Sequence, residues 1–189
     1  MRRKWLMAVP AGILLAGLTM SGCGTATPVN STSTVSSSAT ASNAHDAYLY
    51  MVVLTGKMLQ KPGWPAIYPA DFTVPANSDV TVIVRNYDNG TAPVSAMYGK
   101  VTGTVNGNEQ VNGHTVTSIA STEVSHTITV SSLNLNIPIP PATSSGPSIV
   151  VFSFHTPATP GHYTWLCMAP CGPGAMATDG WMRGTMTVA

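Results

Sequence analysis

The sequence predicts an all-β domain, a sandwich of short strands joined by many turns. Three observations carry this. Thr, Ser, Val, Gly and Pro are abundant, whereas Lys and Glu are scarce. Short runs alternate apolar and polar residues with the period of a strand, Val80, Val82 and Val84 being the clearest. Proline and glycine clusters, such as Pro62, Gly63 and Pro65, punctuate those runs.

Composition also bounds the function. The 189 residues suffice for one domain and a tail, and only 8% are charged, for a formal net charge of +1. A nucleic-acid partner calls for a basic face, which so neutral a chain does not supply. So low a charge suits an acidic medium. Seven acidic residues leave few candidates for acid–base chemistry, and neither a nucleophile-elbow pattern nor paired carboxylates mark a hydrolase.

The amino end reads as an export signal. Arg2, Arg3 and Lys4 precede an apolar run from Trp5 to Leu18, too short for a comfortable membrane span, and small residues follow at Ser21 and Gly22 before Cys23. Residues 23–44 are Ser, Thr, Ala, Asn and Val with almost no charge, a flexible tether with nothing to bury. The domain is expected over residues 45–189.

Within it, His45 to Leu54 forms a first strand, and Lys57 to Tyr68 is expected as loop. Phe72 and Val74 alternate, residues 75–79 turn, and Val80 to Val84 alternate again. Residues 88–120 are rich in Gly, Asn and Thr and read as an insertion of irregular hairpins, with His114 exposed on it. From Val124 to Val130, His126 falls in register with Val124, Ile128 and Val130, while Ser125, Thr127 and Thr129 form a face suited to water. A histidine so placed is either a core histidine with a backbone partner or an inward metal ligand. Residues 134–141 are extended and proline-capped, and Ser148 to Phe154 is a buried strand with His155 turned outward.

The last stretch, PGHYTWLCMAPCGPGAMATDGWMRGTMTV, organises the rest. A Pro-Gly turn opens it, a strand climbs to Cys167, a Cys-x-x-x-Cys loop follows, and a strand of alternating residues returns. Tyr163 and Trp165 share the Cys167 face, whereas His162, five residues from Cys167, faces the other way. Two cysteines in a loop with Met168, Met176 and Met182 nearby suit a soft metal such as copper. They equally suit a small disulfide loop in an oxidising space.

Two resemblances sharpen these readings. The Met20-Ser21-Gly22-Cys23 end resembles the lipobox of bacterial lipoproteins, with Met20 where Leu is usual. It implies cleavage before Cys23, lipid on the Cys23 sulfur, and anchoring at the outer face of the cytoplasmic membrane; the alternative is an ordinary signal peptide with Cys23 removed or idle. VSHTITVSSLNLNIPIPP, FSFHTPATPGHYTWLC, and CMAPCG followed by MRGTMTV together resemble the cupredoxins. The likeness is strongest to the copper-A domain of cytochrome oxidase subunit II and its stand-alone relatives, and it covers about residues 69–86 and 124–188.

The cupredoxin resemblance implies a Greek-key β-sandwich interrupted by the 88–120 insertion. It places His126 at the first imidazole ligand, Cys167 and Cys171 at the bridging thiolates, and Met182 at the weak thioether. The family's second histidine is missing. Counting back from Met182 reaches Asp179, counting forward from Cys171 reaches Ala175, and no histidine follows His162. Ala169 replaces the family's glutamate between the cysteines, a position that lends only a carbonyl. Asp179 or Met176 is the candidate to fill the gap. The implied function is a copper-binding electron carrier with a respiratory redox partner. The alternatives are a metal-free domain with a Cys167–Cys171 disulfide, and a Cu(I) carrier.

Overall fold

A computed structural model describes residues 47–189. The lipidation site at Cys23, the signal segment and the tether lie outside the described residues. The described chain folds as the expected all-β sandwich. Sheet I has six strands: β1 (Ala47–Leu54), β2 (Ala66–Tyr68), β4 (Asp79–Asn86), β5 (Glu109–Val111), β6 (His114–Val116) and β9 (Ser148–His155). Its order is β2-β1-β4-β9-β5-β6. Sheet II has five: β3 (Phe72–Val74), β7 (His126–Val130), β8 (Leu135–Ile139), β10 (Gly161–Leu166) and β11 (Arg183–Val188), in the order β3-β11-β10-β7-β8. Neighbours are antiparallel except β1 with β4 and β3 with β11.

The alternation seen in the sequence sets the two inner faces. In β4, Val80, Val82 and Val84 turn inward; in β9, Val150, Phe152 and Phe154 do the same. Ile128, Val130, Ile137, Trp165, Met186 and Val188 meet them from sheet II, so the core lies between the sheets. Trp165 keeps its indole N–H satisfied by donating to the Ala70 carbonyl at 2.7 Å.

Three local expectations are corrected. The segment expected as loop from Lys57 to Tyr68 ends in β2, an edge strand paired with β1 through Val53 and Ile67, because Ala66 and Ile67 can be buried there. Ser125, Thr127 and Thr129 do not face water: all three are buried. The insertion crosses that side of sheet II. Asn136 donates to the carbonyls of Tyr98 and Lys100 and accepts from Thr129 Oγ1 at 2.7 Å, and Thr129 Oγ1 lies 2.9 Å from Thr127 Oγ1. The threonines are thus the polar lining between sheet and insertion. Third, the chain does not run as loop from the cysteines to the returning strand: it winds into a short helix, α1 (Pro173–Ala177), with Pro173 in the first turn, where its missing N–H costs nothing.

Candidate metal centre

Two neighbouring strands bring the donors together. β7 opens at His126, whose residue is 1% exposed. β10 pairs with β7 through Leu166 and Thr129, which carries the chain past its last strand residue to Cys167, against the start of β7. There the Thr127 N–H points at Cys167 Sγ, 3.4 Å away. On the other side of β10, Leu166 pairs with Arg183, and the ladder continues with Cys167 N–H donating to the Met182 carbonyl at 2.9 Å. Residues opposed in this way project to the same face. Met182 is therefore on the core side with Cys167, and it is fully buried.

The Cys-x-x-x-Cys turn closes through Cys171 N–H to the Ala169 carbonyl at 2.7 Å. It sets the two sulfurs 3.3 Å apart as free thiols. Cys167 Sγ is 3.9 Å from His126 Nδ1. One donor atom from each of His126, Cys167 and Cys171 lies within 4.8 Å of the others. Among the described residues, the sequence-derived set is thus assembled for His126, Cys167 and Cys171, with Met182 adjoining through the backbone.

Asp88 was not foreseen. It lies just beyond β4, and its Oδ2 is 3.2 Å from His126 Nε2. Its position is fixed locally: its N–H donates to Asn86 Oδ1, its Oδ1 accepts from Gly90 N–H, and its carbonyl accepts from Ala142 N–H. The only sequence signal was a carboxylate in a tight turn directly after a buried strand, in a chain with few carboxylates.

Electrostatics follow from these contacts. Burial disfavours an imidazolium at His126, but its bonds to Asp88 and Cys167 outweigh this and raise its pKa to about 9. The same hydrogen bond holds the Asp88 carboxyl below its ordinary range, against partial burial. Burial also opposes a thiolate at Cys167, yet hydrogen bonds from Cys171 and His126 and from the Thr127 N–H bring its pKa well below that of a free thiol. Donation to Cys167, together with burial, pushes the Cys171 thiol up. These contacts therefore favour the thiolate at Cys167 over Cys171.

The ligand loop is braced from below. Trp64 fills the space beside Gly174, where an added Cβ would run into its ring. Trp64 meets Trp181 edge-on at 5.2 Å between ring centroids, with the Lys61 ammonium 3.4 Å from the Trp64 centroid. Gly172, at φ 113°, passes so close to the Gly63 carbonyl that no side chain fits.

The remaining candidates differ in exposure and partners. The Asp179 side chain is 82% exposed and pairs with Arg183 at 2.7 Å, so it turns away from the centre. Met168 and Met176 are half-buried. His114 is exposed, His155 is exposed and bound to Asp79, and His162 is exposed beside Thr187 Oγ1, as their positions on the strands led one to expect. A cleft of about 520 Å³ runs in from the surface between the Thr55–Pro65 and Asp88–Ala92 segments and reaches Ser125, His126 and Cys171.

No protein-family model matches the sequence, and no curated protein matches it. Among the solved structures similar to it are copper proteins by their own descriptions. Rusticyanin from Thiobacillus ferrooxidans is 14% identical, with a TM-score of 0.42 over 76% of this chain and 77% of that one. Auracyanin A, a blue copper protein from Chloroflexus aurantiacus, is 15% identical, with a TM-score of 0.38 over 77% of this chain and 100% of that one. A chain of a heme-copper terminal oxidase dimer is 15% identical, with a TM-score of 0.37 over 76% of this chain; the match spans 60% of the oxidase chain. At these values the likeness adds nothing to the placement of any side chain.

Proposed function

We propose that the chain is an exported, lipid-anchored, cupredoxin-like protein that holds copper on His126, Cys167, Cys171 and Met182 and passes electrons to or from a respiratory redox protein. The observation that carries this is the cluster of one imidazole nitrogen and two sulfurs within 4.8 Å of one another, buried at His126 and Cys167 and partly exposed at Cys171. Its chemistry fits the metal: thiolate and thioether select soft ions, and imidazole suits copper. Copper bound there supplies a one-electron Cu(II)/Cu(I) couple.

The chain's own residues do the rest. Burial of Cys167 and His126 excludes water from one side of the site. The carboxylate of Asp88 accepts from Nε2 of His126, which fixes the ring and leaves Nδ1 directed at the sulfurs. The Thr127 N–H supports negative charge on Cys167 Sγ. Donors anchored at the ends of packed strands and in a hydrogen-bonded turn need little rearrangement when charge changes. The test is substitution: His126→Ala and Cys167→Ser should each abolish tight copper binding by the reduced protein, and undiminished binding in both overturns the assignment.

A second reading rests on the 3.3 Å between Cys167 Sγ and Cys171 Sγ. In an oxidising compartment so close a pair closes into a disulfide, and the sandwich then serves as a metal-free binding domain. A Cu(I) carrier would use the same donors without a redox partner.

A further inference from the structure

We propose that the cleft beside Cys171 and His126 admits a small, neutral nitrogen donor of the imidazole class from solution, which completes the coordination of the bound metal. This rests on the copper reading above. Four observations converge on it.

The donor set has one imidazole, and the described chain offers no second. Asp179, the residue nearest in sequence to the missing position, is engaged with Arg183 and exposed. The site is also open on one side only. Cys167 and Met182 are buried in the core, but His126 and Cys171 line the cleft, so a guest in the cleft meets the two donors that flank the gap. The volume, about 520 Å³, lies in the range of small-molecule sites and exceeds what a single five-membered ring needs.

The lining selects the guest. Ser125 lines the cleft, is 1% exposed, and its Oγ has no hydrogen-bond partner among the described residues. A buried hydroxyl left unpaired is costly, and a guest with a polar hydrogen relieves that cost. Asp88 stands in the wall beside it, its Oδ2 3.2 Å from His126 Nε2. A carboxylate repels anionic donors and accepts from an N–H. A neutral ring with one lone-pair nitrogen and one N–H satisfies the metal and this wall together; azide or another small anion satisfies only the metal. The threonines at 55 and 91 and the Lys57 ammonium stand further along the cleft, where a larger molecule bearing such a ring could extend.

The experiment uses the reduced mature protein loaded with one equivalent of Cu(II), titrated with imidazole and, in parallel, with azide. The thiolate-to-copper absorption and the electron paramagnetic resonance spectrum are followed. A saturable spectral shift with imidazole, at least tenfold tighter than with azide, is the expected result. Thr91→Trp, at an exposed position on the cleft wall, should leave the starting spectrum unchanged and weaken imidazole at least tenfold. Ser125→Ala should weaken it roughly three- to tenfold, the worth of one hydrogen bond. A normal copper spectrum that imidazole does not alter overturns the inference, as does azide binding as tightly as imidazole, or an unchanged imidazole affinity in both variants. If no copper spectrum forms at all, the copper reading itself has failed, and this inference falls with it.

Discussion

The carboxylate of Asp88 lies 3.2 Å from Nε2 of His126, a residue 38 positions further along the chain and almost wholly buried. The contact joins the turn after β4 in one sheet to the first residue of β7 in the other. It determines which ring nitrogen is free. With Nε2 bound to the carboxylate, only Nδ1 can serve a metal beside the sulfurs, and it does so with greater basicity.

Asp88→Asn keeps the side-chain size and removes the charge. Copper affinity of the reduced protein should fall about 10- to 100-fold, the usual effect of losing such a partner. Competition against a chelator of known affinity measures it. Thermal stability in the absence of metal should change far less, which separates a role in tuning the ring from a role in folding.

The two sulfurs make the site redox-sensitive. Treating metal-free protein with an oxidant should remove both domain thiols from a thiol count and yield an intramolecular Cys167–Cys171 bridge. The ring it closes is short, so the gain in stability should be small. The oxidised protein should bind no copper, and reduction should restore binding.

Gly174 tests the brace under the ligand loop. Its added Cβ in Gly174→Ala collides with the Trp64 ring, so loop and tryptophan must part. Overpacking of this kind costs about 1–3 kcal/mol. We expect an altered tryptophan emission spectrum and a shifted copper absorption with the strand content unchanged in far-ultraviolet circular dichroism.

Glu109 on β5 provides a pH signature away from the metal. It is 1% exposed, neither carboxylate oxygen has a hydrogen-bond partner among the described residues, and burial raises its pKa from 4.5 to about 8. The folded state therefore keeps a proton that the unfolded chain has lost throughout that window. Its stabilising contribution is full below about pH 4.5 and is lost as pH rises towards 8, by up to about 1.4 kcal/mol per pH unit. Denaturant titrations from pH 5 to 8 should show wild-type stability falling more steeply than that of Glu109→Gln. Parallel curves for the two proteins would contradict this.

The parts of the fold that follow from local alternation were legible in the sequence. Val80, Val82 and Val84 announced β4, and the run through His126 announced β7, because a strand with one face in the core writes a period of two. Ser125, Thr127 and Thr129 misled for the same reason. Periodicity assigns polar residues to water, but here the inserted segment covers them, and Asn136 joins Thr129 and Thr127 into a hydrogen-bonded layer. At the site, His126 was recognisable on its strand, and Cys167 and Cys171 because they lie four apart in the turn that follows the neighbouring strand β10. Asp88 was not, because it reaches His126 across the sandwich, and no local pattern encodes a contact between two sheets. Asp179 was a candidate by counting along the chain, yet α1 takes up the loop length and turns it outward.

The central claim is that His126, Cys167, Cys171 and Met182 hold copper. The most direct measurement is an anaerobic titration of the freshly reduced protein with Cu(II), free of excess reductant, recorded in the visible region. The account predicts an intense thiolate-to-copper band that saturates, is missing in Cys167→Ser, and is perturbed in Met182→Leu. The absence of any such band, with both thiols consumed to form a disulfide, would contradict it and assign Cys167 and Cys171 to a structural bridge.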